Sequence, residues 1–357
     1  MSINNTLILT GEDVQQIIRH HGVDQIMDRT ITELERFLLA HDEMDLVTPA
    51  RSGFHYYEPH MGLVEWMPIY QGSKQVTLKI VGYHPNNPKL YKLPTILSTT
   101  SSYDSTTGHL QCLMDATLTT AIRTGAASAL ASKFLAKPTS EVLGIIGCGA
   151  QAVTQLHALS RLFPLTRVLY CDTEPSAEQS FEERCEPLEI DINFEQSSLA
   201  HIVGDSDILC TATSIEPGEG PLFSDIKTRT HLHINAVGAD FPGKIEIPLA
   251  LLKEAMVCPD FREQALVEGE CQQLEANEIG QDLKEIITNN IQDFQNQRTV
   301  FDSTGWALED QVMLDIFQRL AHQLSIGRWL SIESVSQNEK NPYDFLKEVD
   351  KVLQENG

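Results

Sequence analysis

The stretch from Ser140 to Phe163, SEVLGIIGCGAQAVTQLHALSRLF, limits the possible folds more than any other part of the chain. The apolar run Val142 to Ile146 has the length of a buried strand and stops at Gly147-Cys148-Gly149-Ala150-Gln151-Ala152, which fits the pattern G-x-G-x-x-A. Val153, Leu156, Leu159 and Phe163 then recur at helical spacing. A strand, a glycine turn and a helix in this order leave unpaired backbone amides at the helix N-terminus, where the helix dipole also favours an anion. The next apolar run ends at Asp172, an acid placed to accept hydrogen bonds from ribose hydroxyls and, with Glu174, to repel a 2′-phosphate. The expected ligand is the dinucleotide NAD rather than NADP. Gly147, Gly149, Ala150 and Gln151 would lie at its pyrophosphate and Asp172 at its ribose.

Around this turn strand and helix patterns alternate, with candidate strands at 142–147, 167–172, 207–211, 233–237, 255–258 and 299–301. Alternation of this kind predicts a parallel sheet covered on both faces by helices. The preceding part has a different texture. A short strand precedes Thr10, which with Asp13 has the spacing of a capping box, and two helical stretches follow, divided near Gly22. Two strand pairs then turn at Gln71 to Lys74 and at Asp104 to Gly108. A helix of small residues, 117–136, joins the two textures, and a second long helix is expected from Glu309 to Trp329, while the polar tail from Ser336 reads as a surface helix or a frayed end. The fold class is α/β. A doubly wound Rossmann domain accompanies a smaller α+β domain, and 357 residues suffice for two such cores.

With 26 Lys and Arg against 50 Asp and Glu, the net charge of -24 opposes binding to nucleic acid or anionic membranes. Seven cysteines without C-x-x-C spacing suggest neither a disulfide framework nor a zinc site, and no His/Cys/Asp cluster has metal spacing. The N-terminal residues lack the pattern of a secretion signal, so a reducing, cytoplasmic location is expected.

Cations occur in unusual settings. Lys79 shares a strand face with Thr77 and Val81, Arg123 lies in the small-residue helix, and Arg51 follows Pro49 in a loop. Asp240 follows the strand HINAVG at the carboxyl end, the edge where ligands of such sheets bind. Glu65 lies in a strand two residues before Met67. Each also has an ordinary alternative, a solvated cation, a turn aspartate or an exposed strand acid.

The glycine turn together with RTGAAS (123–128), NAVGADFPGK (235–244) and FDSTGWALED (301–310) resembles the ornithine cyclodeaminase/mu-crystallin family, over about 51–310. The resemblance implies a Rossmann domain over 126–315 facing a substrate-binding and dimerisation domain over 1–125, completed by 316–357, with the site in the cleft between them and a homodimer as the assembly. It implies that Arg51, Lys79 and Arg123 bind the substrate carboxylate and that Met67 and Thr304 also touch substrate. Asp240 would handle protons on the substrate amine, and Glu65 would face the substrate. Thr95, Thr213, Asn235, Ala236, Val237, Gly238, Lys244 and Ser303 match cofactor contacts. The implied activity is ornithine cyclodeaminase, a lyase forming L-proline and ammonia from L-ornithine by hydride abstraction, imine cyclisation and hydride return on NAD. VEWMP, KIVGYHPNNPK, EGECQQL and ALED carry that likeness, whereas MDATLTTAIRTGAAS and the glycine turn resemble the archaeal alanine dehydrogenases. Alanine dehydrogenase, ketimine reductase and a non-catalytic crystallin-type binding protein are the alternatives.

Overall fold

The computed structural model describes residues 5–40, 46–224 and 227–346. Its first part contains β1 (Thr6–Leu9), β2 (Leu46–Val47), β3 (Ser52–Tyr56), β4 (Gly62–Gln71), β5 (Gln75–Tyr83), β6 (Ile96–Asp104) and β7 (Leu110–Asp115). Strands β4 to β7 form an antiparallel meander, β2 and β3 pair with β4, and β1 joins β7 in parallel. Helix α1 (Gly11–His21) starts at the Thr10 capping box: the Thr10 amide donates to the Asp13 carboxylate at 2.8 Å, and the Asp13 amide returns to the Thr10 hydroxyl at 3.3 Å. Gly22 separates it from α2 (Val23–Ala40), and α3 (Asn87–Tyr91) sits in the connection from β5 to β6.

Helix α4 (Thr117–Leu135) leads to the second sheet, made of β8 (Val142–Ile146), β9 (Arg167–Cys171), β10 (Asn193–Gln196), β11 (Ile208–Thr211), β12 (His233–Ala236), β13 (Met256–Pro259) and β14 (Thr299–Asp302). All pairings are parallel, in the order β10-β9-β8-β11-β12-β14-β13. From β8 the chain winds first outward through β9 and then back to β11. The carboxyl ends of β8 and β11 therefore flank the switch point at which ligands enter such sheets. Helix α5 (Ala150–Ser160) follows β8 and crosses α4 closely, with the Gln155 side chain donating to the Thr124 carbonyl at 3.4 Å. Gly125 permits that crossing, because a Cβ there would run into the Thr154 carbonyl.

One apolar core runs through both parts, from Leu7 and Ile17 through Leu130 and Leu156 to Phe317. The boundaries expected at 125/126 and 315/316 fall inside α4 and inside the helix Ala307–Leu324, and both helices continue unbroken across them. The two sheets are thus tied by shared helices.

The expected strands of the parallel sheet all appear, with ends shifted by a residue. Strands β3 and β10 lacked a clear apolar alternation and are seen only in the structure. The long helix expected to reach Trp329 requires correction: it ends at Leu324, where Ser325 adopts a left-handed conformation. Gly327 at φ +96° then passes so close to β1 that a Cβ would lie 2.6 Å from Leu9 Cδ2. Arg328–Leu330 becomes β15, an antiparallel partner of β1. The apolar residues Ile326, Trp329 and Leu330 continue a helical-looking pattern, which conceals the break. The end of the polar tail, from 347, lies outside the described residues.

Candidate active site

The glycine turn has the form that dinucleotide binding requires. Gly147 sits at φ +94°, and a Cβ on it would lie 2.7 Å from the Ala212 carbonyl oxygen, so both conformation and space call for glycine. Gly149 is the N-cap of α5 with no side-chain cap, and nothing lies within 4 Å of the position of its missing Cβ. Gly149 and Ala150 are exposed and Gln151 is half-buried, so the first amides of the helix face open space. Asp172 follows β9 directly. Its carboxylate accepts from the Cys148 amide at 2.6 Å and the Glu174 amide at 2.7 Å, which fixes it beside the turn and leaves it lone pairs for a sugar hydroxyl.

Further along the same edge, Thr213 follows β11 and Ser303 follows β14. Ser303 Oγ is buried and has no hydrogen-bond partner among the described residues. An orphaned hydroxyl at the carboxyl end of β14, on the same edge of the sheet as the open helix N-terminus, fits a polar ligand that lies across the carboxyl ends of the strands. Asn235 and Ala236 are inside β12; the Asn235 amide reaches Ser132 Oγ at 3.1 Å and so ties β12 to α4. Val237 and Gly238 complete the strand end, and both are buried. Thr95 lies on the first sheet, next to the Tyr83–Ile96 register pair, where its carbonyl accepts from the His84 amide at 2.8 Å.

Lys79 and Arg123 are buried and Arg51 is half-buried, and all three meet acids of the opposite part. Lys79 is 1% exposed and donates to Asp310 Oδ1 at 2.9 Å. Arg123 is 6% exposed and donates to Glu309 Oε2 at 2.6 Å, with its Nε 3.4 Å from Asp310. Both acids come from the first turn of the helix Ala307–Leu324, where negative charge is favoured by the dipole. Gly305, at φ +89°, lets that helix approach: a Cβ would sit 3.0 Å from the Arg123 guanidinium. Arg51 donates to the Thr304 carbonyl, pairs with Glu268, and lies 3.7 Å from Glu65. The Thr304 hydroxyl donates to Asp260 at 2.9 Å, and the Gly305 amide binds the same carboxylate at 2.7 Å. Met67 faces Lys79 across the β4–β5 register and is buried with it.

Burial governs the electrostatics. It lowers Lys79 to about 8, helped by the Arg123 charge and opposed by Asp310. It lifts Glu268 to about 8 against the pull of Arg51, and Glu309 to about 7 against that of Arg123. Asp260 is also raised by burial. Charged and neutral forms of several groups therefore coexist near neutrality, which suits a site that moves protons.

Asp240 closes the cluster from the second sheet. Its carboxylate is 3.4 Å from Lys244 Nζ, and its field contributes to the raised pKa of Glu268, as does that of Glu65. The neighbouring Phe241 ring packs on His55, which hydrogen-bonds Glu65 at 2.9 Å. Lys244 is buried over the Tyr83 ring, 4.5 Å from its centroid; burial acts to lower its pKa, but Asp240 and Tyr83 outweigh burial and hold it above the usual value.

Arg51, Glu65, Lys79, Arg123, Asp240 and Thr304 thus converge between the sheets, at the carboxyl ends of β12 and β14. Sequence reasoning missed Glu268, Asp260, Glu309, Asp310, Tyr83 and His55. Glu268 and the Glu309-Asp310 pair stood within motifs already singled out, EGECQQL and ALED, but an isolated acid carries no sign that its partner lies far along the chain.

Comparison with known proteins agrees with this architecture. The chain is 40% identical to the L-lysine cyclodeaminase of Streptomyces rapamycinicus over 344 residues, 95% of this chain and 99% of that protein. A solved lysine cyclodeaminase, studied for its recognition of L-lysine, L-ornithine and L-2,4-diaminobutyric acid, superposes with a TM-score of 0.91 at 44% identity, over 95% of this chain and 99% of the other. An archaeal alanine dehydrogenase dimer with bound NAD gives a TM-score of 0.81 at 30% identity, over 92% and 100%. The family model described as ornithine cyclodeaminase/mu-crystallin matches residues 6–322, and the chain belongs to that family.

Proposed function

We propose that the chain is an NAD-dependent cyclodeaminase of L-α,ω-diamino acids, converting L-ornithine to L-proline and ammonia or L-lysine to the six-membered homologue. The observation that carries this reading is the composition of the buried cluster. Lys79 and Arg123 are matched by Asp310 and Glu309 and Lys244 is engaged by Asp240, whereas the single charge of Arg51 serves both Glu65 and Glu268, so this pair holds one acid more than its cation neutralises and Glu268 stays raised to about 8. A substrate with one carboxylate and two ammonium groups matches that excess, whereas alanine supplies a single ammonium. The likeness to lysine cyclodeaminase supports a diamino acid and moves L-lysine beside L-ornithine as the first substrate to test.

NAD would be held by the amides of Gly149, Ala150 and Gln151, by Asp172, and by Thr213 and Ser303, and when bound it would supply a reversible acceptor for the hydrogen and electron pair of Cα. The chain's own residues do the rest. Arg123 binds the substrate carboxylate with a two-pronged donor and Lys79 as a point charge, so that Cα is held in one orientation. Asp240 takes a proton from the α-ammonium group. Glu65 and Glu268 receive the ω-ammonium group, and a carboxylate among them removes its proton so that the free amine can close the ring and expel ammonia. Holding both reacting atoms in one bound molecule supplies the proximity that ring closure needs.

A second copy of the chain is the proposed partner. Ile80, Leu97 and Leu113 expose apolar side chains on the face of the first sheet opposite Lys79, where Trp66 faces Ile80 in the register, and the similar alanine dehydrogenase is a dimer. No helix of the described residues is long and apolar enough to cross a membrane.

The likeness to alanine dehydrogenase favours net dehydrogenation as the second reading. Incubation with NAD and L-ornithine, L-lysine or L-alanine separates them. Ammonia and a cyclic imino acid without accumulated NADH support the cyclodeaminase; steady NADH from alanine supports the dehydrogenase and refutes it. Ligand binding without turnover would leave a storage protein.

A further inference from the structure

Three carboxylates that the proposed reaction does not use, Asp302, Glu270 and Glu246, are completely buried next to the cluster. They form a directional chain. Asp302, the last residue of β14, accepts from the amides of Glu270 and Cys271, both at 2.8 Å. Glu270 accepts from the amides of Glu246 at 2.7 Å and Ile247 at 3.2 Å. Glu246 in turn accepts four hydrogen bonds: from the Thr211 hydroxyl at 2.6 Å, the Gly238 amide at 2.9 Å, the Thr213 amide at 2.9 Å and the Thr213 hydroxyl at 2.7 Å. Each carboxylate holds the backbone of the next segment, and the last holds the chain leaving β11 and the chain leaving β12.

Those two segments carry Thr213 and, two residues beyond Gly238, Asp240. The contact is tight, because a Cβ on Gly238 would collide with Glu246 Oε1. Burying a carboxylate is unfavourable in itself, so a fold keeps one where its donors need an acceptor that nothing else supplies. All four donors here come from the ends of two adjacent strands, and none comes from the first sheet.

We propose that Glu246 is a positioning residue, which fixes Thr213 and Asp240 relative to one another at the cofactor side of the cleft while leaving the carboxylate clamp of Arg51, Lys79 and Arg123 untouched. The role of Asp240 in this statement rests on the function proposed above. The test is Glu246→Gln. A glutamine amide must turn its NH2 toward one pair of donors; the threonine hydroxyl of that pair can rotate to accept, but the backbone N–H of Thr213 or Gly238 cannot. One strand end then loses its anchor.

The expected result is a fall in kcat of about 10- to 100-fold with the amino acid KM held within about threefold, as for a catalytic group displaced by a fraction of an ångström. NAD, titrated directly by quenching of tryptophan fluorescence, should bind more weakly. Glu246→Asp, which retains the charge and both acceptors, should recover part of kcat. A purely architectural role would lower the melting temperature without this split, so an unchanged kcat and NAD affinity in folded Glu246→Gln, or a rise in amino acid KM as large as the fall in kcat, overturns the proposal. Should Glu246→Gln not fold, Thr211→Val removes a single hydrogen bond to the same carboxylate, and the same split in smaller measure is required of it. If the wild type turns over no diamino acid, the functional reading fails by itself; the NAD titration of the variants still decides the positioning role.

Discussion

The two glycines of the turn make opposite predictions when each is changed to alanine. Gly149 has an ordinary φ of -77°, and its added Cβ would meet nothing within 4 Å, so the fold should accept Gly149→Ala without strain. Loss of unfolded-chain entropy should even stabilise the protein by roughly 0.4–1 kcal/mol. The new methyl would occupy the space in front of the α5 amides, where the pyrophosphate is proposed to lie. Displacing an anion from even one charge-assisted hydrogen bond removes about 1.5–3 kcal/mol, a 10- to 100-fold loss of NAD affinity. Gly147→Ala should behave in reverse. At φ +94° with the Ala212 carbonyl oxygen 2.7 Å away, it incurs about 1–3 kcal/mol of backbone strain in addition to the clash. Calorimetric titration with NAD and thermal melts of both ligand-free variants give the readout: Gly149→Ala melts at or above the wild type but binds poorly, and Gly147→Ala melts below it. If Gly149→Ala binds NAD as the wild type does, the glycine turn does not hold the pyrophosphate and the cofactor assignment fails.

Asp240→Asn should abolish turnover while leaving NAD affinity nearly unchanged, and near-normal turnover measured as ammonia release would refute its role. Lys79, lowered to about 8, should lose its proton as pH rises through that value, so the amino acid KM should climb above pH 8; in Asp310→Asn the climb should begin about 1–2 pH units lower, since a charge-assisted bond of about 1.5–3 kcal/mol is lost. The sign for stability is the opposite. The unfolded chain binds this proton up to about 10.5 and the folded chain only to about 8, so the contribution of Lys79 rises with pH across that window, by roughly 3 kcal/mol in urea unfolding series. Gly125→Val, which forces a side chain against Thr154, should lower the melting temperature through the α4–α5 crossing and reduce soluble yield. Ile80→Asp on the exposed sheet face should give a monomer by light scattering, and an unchanged assembly would exclude that face.

Much of this protein is local in origin. A strand, a glycine turn and a helix within some two dozen residues contain their own reasons, in periodicity, φ and capping, and the parallel sheet follows from repetition of that unit. Thr10 with Asp13, and the strand turns at 71–74 and 104–108, are local in the same sense. Lys79, Arg123 and Arg51 were recognisable as candidates by the unusual settings of these cations and Asp240 by its place past the carboxyl end of a strand, and the family resemblance supplied their expected roles. What no segment contains is the partner. Lys79 meets Asp310, Arg123 meets Glu309, and Arg51 meets Glu268 only after α4 and the helix Ala307–Leu324 have brought the two sheets together. Hydrophobic periodicity fixes which face of an element is buried, and it is indifferent to the charges that meet there. Which acids remain protonated near neutrality, and how Glu246 holds two strand ends, depend on desolvation and on hydrogen bonds between residues distant in the chain, and these exist only once the tertiary structure has excluded water.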